Sequence, residues 1–217
     1  MDIKKSSLDK AHITLTNLNT LLFPIILSLF IGIPVLLATY KRNALWKDDI
    51  TLWTDTLHKS ETKARAYYNL GAAYHDDKGL LDEAITYYKK ALAIEPNYTG
   101  AHNDLGDALR DKGLLESAIM EYQTALRLKP SYPKAHNNLG IVYSMQGRFD
   151  EAIREFEIAL KLKPDYAEAH NNLGNVYYQE GRMDNALEEF RIALKLKPDD
   201  SDIYNNLKNI YKIKGLK

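Results

Sequence analysis

The strongest constraint on this chain is a period. Pro96, Pro130, Pro164 and Pro198 stand 34 residues apart, as do Ala84, Ala118, Ala152 and Ala186, and the pairs Leu105-Gly106, Leu139-Gly140 and Leu173-Gly174. Self-similarity at such a spacing marks stacked supersecondary units, each too small to bury its apolar face alone. Leu70-Gly71 lies 35 residues before Leu105-Gly106, because the stretch from His75 to Gly79 is one residue longer than its counterparts. Each unit holds two stretches with apolar or small residues at helical spacing: His136, Leu139, Gly140 and Tyr143, then Ala152, Phe156 and Ala159. Gly147 parts them and Pro164 ends the second, so the pattern predicts helix, turn, helix. Gly140 and Ala152 let the two helices approach closely, and the aromatic column Tyr88, Tyr122, Phe156 and Phe190 fills the space beside them.

On these columns the unit resembles the tetratricopeptide repeat. The resemblance implies an all-α chain with a right-handed α-solenoid over residues 64–217. Its repeats fall at about 64–98, 99–132, 133–166 and 167–200, with a terminal helix over 201–214. The fifth unit has Lys208 where the others have glycine, and a more polar last helix closes the apolar end of a solenoid. Truncation of a longer array is the rival reading; it leaves Ile203, Leu207, Ile210 and Tyr211 packed on one side only.

The front of the chain follows a different rule. No Asp, Glu, Lys or Arg occurs from Ala11 to Tyr40, and residues 21–40 read LLFPIILSLFIGIPVLLATY. Twenty residues at 1.5 Å rise cover roughly the 30 Å of a bilayer's hydrocarbon core, so 1–20 reads as a polar segment and 21–40 as a transmembrane helix kinked by Pro24, Gly32 and Pro34. A retained span is favoured over a cleaved signal peptide, because the apolar run exceeds a usual signal core and Leu36-Leu37-Ala38-Thr39 is a poor cleavage site. A third reading makes it the last span of a larger protein. Lys4, Lys5 and Lys10 on one side nearly balance Lys41, Arg42 and Lys47 on the other, so charge leaves orientation open. Residues 41–63 place Trp46, Ile50, Trp53 and Leu57 on one helical face, as an amphipathic linker that caps the first repeat or rests at a membrane interface.

The runs Tyr40-Lys41-Arg42-Asn43-Ala44-Leu45-Trp46, Thr51-Leu52-Trp53, Lys59-Ser60 and Ala66-Tyr67-Tyr68-Asn69-Leu70-Gly71 resemble the junction in the transmembrane and tetratricopeptide-containing O-mannosyltransferase-like proteins. The sequence departs from that pattern at Glu61, where proline is common, and has no multi-span catalytic portion before the junction. The resemblance therefore carries architecture, not activity. It implies an extracytoplasmic repeat domain, which together with the span over 21–40 gives the expectation of a single-pass membrane protein.

Lys+Arg and Asp+Glu both number 29, so no basic field recruits nucleic acid, and zero cysteines remove disulfides, thiolate metal sites and cysteine nucleophiles. The glycines stand singly at turns rather than in a phosphate-binding loop, and no catalytic constellation, metal site or cofactor is expected. His102, His136 and His170 share the 34-residue period, but equivalent positions on packed helices lie about 8–10 Å apart, too far for one metal, so the column is assigned to packing.

The remaining candidate is a peptide-binding groove on the first helix of each unit. Asn69, Asp104, Asn138, Asn172 and Asn206 form one column, and Asn137 and Asn171 stand beside it. This column is similar to the asparagine ladder in the repeats of O-GlcNAc transferase, with Asp104 as the break. An asparagine donates and accepts at once and can pair with any peptide main chain. Tyr178, Ile141 and Met145 supply side-chain pockets. The competing reading gives the asparagines to the repeat itself, bonded to the adjacent helix backbone. Lys134 has no second cation after it, since position 138 is Asn, so a carboxylate clamp is not expected. The expected partner is a protein or extended peptide, with residues 21–40 in a membrane. The rival is an accessory or split piece of a polytopic membrane glycosyltransferase.

Overall fold

A computed structural model describes residues 49–59, 63–76 and 80–215. The chain divides into two compact units, Met1–Leu52 and Trp53–Lys217. Helix α1 (Asp49–Lys59) carries Ile50, Trp53 and Leu57, each half-buried. Trp46, the polar segment 1–20 and the expected span 21–40 lie outside the described residues, as do positions 77–79 of the lengthened first turn.

Among the described residues, nine helices follow. They are α2 (Ala64–Asp76), α3 (Leu81–Ile94), α4 (Thr99–Asp111), α5 (Leu115–Leu128), α6 (Pro133–Met145), α7 (Phe149–Leu162), α8 (Ala167–Gln179), α9 (Met183–Leu196) and α10 (Ser201–Ile213). Each of α2, α4, α6 and α8 packs on the odd-numbered helix after it and, through that one, on the next first helix, with α10 packed on α9, so contacts run between neighbours along the chain. The all-α solenoid is observed. The single-pass membrane placement is corrected: among the described residues no helix is long and apolar enough to cross a membrane. The repeat helices run 13 or 14 residues, about 20 Å at 1.5 Å per residue against about 30 Å of hydrocarbon, and their apolar residues occupy one face. The extracytoplasmic placement rested on that span and falls with it.

Close approach within a pair depends on glycine. A Cβ on Gly140 lies 2.8 Å from the Phe156 ring, and one on Gly106 2.6 Å from that of Tyr122, with Gly71 and Gly174 alike against Tyr88 and Phe190. All four rings are buried. The first helix of the third pair ends on Gly147 at φ +72°, a left-handed turn unfavourable to side chains. There the Arg148 amide donates to the Tyr143 carbonyl at 2.9 Å. Acidic residues open the second helices, where the helix dipole favours them, and meet the turn of the next pair: Lys112 reaches Asp82, Gln146 donates to Glu116 at 3.0 Å, and Lys214 reaches Asp184.

The histidine column has a structural task. In His136, Nδ1 lies 2.7 Å from Glu155 Oε2 on α7 and Nε2 lies 3.0 Å from the Pro130 carbonyl in the linker before α6. His102 bridges Glu121 and Pro96, and His170 bridges Glu189 and Pro164, at 2.6–3.1 Å. Each imidazole thus clips the incoming linker to the second helix of its own pair. For His136 and His170 burial opposes the charge, but the glutamate and the proline carbonyl outweigh it and raise both pKa values above 6.5.

Candidate functional site

The first helices α2, α4, α6, α8 and α10 adjoin one another in sequence order, and their shared face carries the asparagine columns. Neighbouring helices are joined there by side-chain rungs. Asn138 Nδ2 donates to Asn103 Oδ1 at 3.3 Å and to Asp107 Oδ1 at 2.8 Å. Asn172 Nδ2 donates to Asn137 Oδ1 at 3.0 Å, and Asn206 Nδ2 to Asn171 Oδ1 at 3.0 Å and Asn175 Oδ1 at 3.3 Å. In these asparagine rungs the donor is the later helix. Asn137 and Asn138 are 2% and 6% exposed, so both sit in the seam between helices, whereas Asn171, Asn172 and Asn206 are half-buried. Their partners are the side chains of the adjacent first helix.

The break at Asp104 is a reversal. Tyr68 on α2 donates to Asp104 Oδ2 at 2.6 Å, so at this seam the earlier helix gives the proton. Lys134 reaches forward from α6 to Asp104 at 2.9 Å and Asp107 at 3.3 Å, and Asp107 also accepts from Tyr122 at 2.6 Å and pairs with Arg110 at 3.4 Å. Burial alone would raise the Asp104 pKa, but Tyr68, Lys134 and Asn103 bond the carboxylate and hold it below its ordinary 3.8. Lys134 is raised in return, against its own burial. Lys134 is thus paired with two acids of this protein. Asn69, half-buried on α2, begins the column.

Beyond this network the face changes character. Ile141, Ser144 and Met145 of α6, Phe156 of α7, and Asn172, Asn175, Tyr178 and Gln179 of α8 line a cleft of about 320 Å³, and none of the eight carries a charge. Met145 is 56% exposed and Tyr178 40%. The sequence columns pointed to Ile141, Met145, Asn172 and Tyr178. Asn175 and Gln179 were missed, although they follow Asn172 by three and seven residues and so share its helical face. Among the described residues no cluster of histidine or acidic side chains is arranged to hold a metal.

Family comparison agrees with the fold. A tetratricopeptide-repeat model matches residues 137–201, and a second, of the TPR repeat, matches 76–113 and 106–147. The protein O-mannosyl-transferase Tmtc3 of Drosophila melanogaster is 31% identical over 70 residues, 32% of this chain and 8% of that protein. The protein O-mannosyl-transferase F38B6.6 of Caenorhabditis elegans is 32% identical over 73 residues, 34% of this chain and 10% of that one. The chain therefore spans about a tenth or less of the curated relatives it matches. Among solved structures, the thermophilic TPR protein TTC0263 of Thermus thermophilus superposes with a TM-score of 0.65 at 29% identity, over 75% of this chain and 89% of that one. YrrB, described as a TPR protein with an unusual peptide-binding site, superposes at 0.59 with 23% identity, over 75% and 84%.

Proposed function

Since the units of this chain are tetratricopeptide repeats, we propose that it is a scaffold that binds a protein or extended peptide along the face of its first helices and performs no catalysis of its own. The observation that carries this reading is the uncharged cleft between α6 and α8, with Met145 and Tyr178 exposed beside asparagines that can pair with a main chain. Asp104, Asn138, Asn172 and Asn206 contribute as the column that sets the helices side by side, with Asn137 and Asn171 accepting rungs and Asn69 heading the column on α2. Each net hydrogen bond contributes roughly 0.5–1.5 kcal/mol before ordering costs, so affinity in the micromolar to millimolar range is expected. Hydrogen exchange on the full chain with and without a saturating peptide digest tests it. Slowed exchange confined to α6 and α8 is the expected result; protection on α5, α7 and α9 instead would overturn it.

The local identity to O-mannosyltransferases favours a second reading, an accessory that presents acceptor protein to a glycosyltransferase. It predicts co-purification with such an enzyme and no mannose transfer by the chain alone. Transfer by the purified chain would remove the claim that it is not an enzyme.

A further inference from the structure

The face of the first helices is not uniform. At four equivalent positions α4 carries Asp104, Asp107, Arg110 and Asp111, α6 carries Asn138, Ile141, Ser144 and Met145, and α8 carries Asn172, Asn175, Tyr178 and Gln179. The charges on α4 are matched internally: Asp104 by Tyr68 and Lys134, Asp107 by Lys134, Tyr122 and Arg110, and Asp111 by Arg110 and His75. A ligand there would have to displace a partner from an acid that is already bonded.

On this basis, and resting on the peptide-scaffold reading, we infer that the cleft between α6 and α8 seats one uncharged apolar side chain of an extended peptide, and that α4 takes no part in recognition. The chemistry of the lining commits the occupant. Ile141, Met145 and the Tyr178 ring offer apolar surface that is open in this structure, and its burial favours an aliphatic or aromatic side chain. An ionised side chain would lose water in a cleft with no counter-charge. The two asparagines complete the fit. Asn172 uses its amide nitrogen on Asn137, which leaves its oxygen to accept from a peptide N–H. Asn175 accepts from Asn206 through its oxygen, which leaves its amide to donate to a peptide carbonyl. One acceptor and one donor, a helical turn apart, flank the apolar floor, the arrangement that holds a main chain irrespective of sequence and leaves selection to the side chain between them.

The test uses the full chain and an array of end-blocked hexapeptides in which one central position is varied over all residues on an Ala/Ser background. Leu, Met, Phe or Tyr at that position should be preferred at least tenfold over Asp, Glu, Lys or Arg. Affinity for the best peptide should change less than twofold between about 0.05 and 0.5 M salt, because no ion pair is made. Met145→Lys and, independently, Tyr178→Ala should each weaken it at least tenfold with unchanged helical content, whereas Asp111→Asn should leave it within twofold. Binding that prefers a charged residue, falls with salt, or survives both cleft variants overturns the inference and leaves the scaffold reading standing. Failure of every peptide to bind overturns both.

Discussion

The first repeat and the interior repeats solve the same two joining problems with different side chains. In the interior, asparagine amides bridge successive first helices, and histidines clip each linker to its own pair. In the first repeat both positions are tyrosine. Tyr68 replaces the accepting asparagine and donates to Asp104, while Tyr67 stacks on Tyr87, ring centroids 6.4 Å apart, where the later pairs have His and Glu. Lys90 lies over both rings. Each histidine clip takes a linker carbonyl six residues upstream, that of Pro96, Pro130 or Pro164. The stack draws on its own pair alone. The seam position is thus set by the backbone, and any donor that meets an acceptor can occupy it.

That comparison breaks most visibly at the first seam. Asp104→Ala strands the Tyr68 hydroxyl and takes a carboxylate from Lys134, so it should cost about 2–3 kcal/mol in urea unfolding. An effect equal to that of an asparagine rung would show that the network adds nothing. Asn138→Ala should cost about 1–2 kcal/mol, and Asn172→Ala, half-buried with one rung, about 1 or less. Equal losses at the two would mean that burial does not set the strength of a rung.

The histidine clips differ from the tyrosine stack in pH response. The pKa values of His136 and His170 are raised in the fold, so their contribution is complete below the unfolded value of 6.5 and is lost as pH rises through the folded values. Unfolding midpoints should therefore fall as pH climbs above 6.5, and His136→Gln/His170→Gln should flatten that slope. A slope unchanged in the double variant would assign it elsewhere. The smallest effect concerns the turn that lacks its cross-repeat pair: Glu180 stands where Lys112 and Lys214 reach Asp82 and Asp184. Glu180→Lys should meet Asp150 but gives up the Glu180–Arg182 pair at 3.2 Å, so Tm at low salt should move by no more than the equivalent of about 0.5 kcal/mol.

The helix pairs and their glycine–aromatic contacts were legible in the sequence, because each follows from spacing within one unit. The placement of Asn137 and Asn138 was not. A helical wheel turns them away from the core of their own pair, but α4 and α8 cover them from outside it. The glutamates of the histidine clips were legible in principle, since Glu121, Glu155 and Glu189 follow the histidines by a constant 19 residues. The cleft was legible in part, through the departure of Ile141, Met145 and Tyr178 from the charged residues of α4; its volume and its second asparagine depend on how two helices meet.

Rungs that join a donor on each later helix to an acceptor on the earlier one make the interior interchangeable in a specific sense. Excising residues 167–200 would bring Asn206 against Asn137, the same amide pair that Asn172 makes now, whereas excising 133–166 would take Lys134 from Asp104 and Asp107 and put Glu168 in its place. Excising 99–132 would bring Asn138 against Tyr68 and leave Lys134 with neither of its acids. Length can therefore be gained or lost by whole units downstream of α6, whereas α2, α4 and α6, tied by Tyr68, Asp104, Asp107 and Lys134, travel together as a fixed starting block.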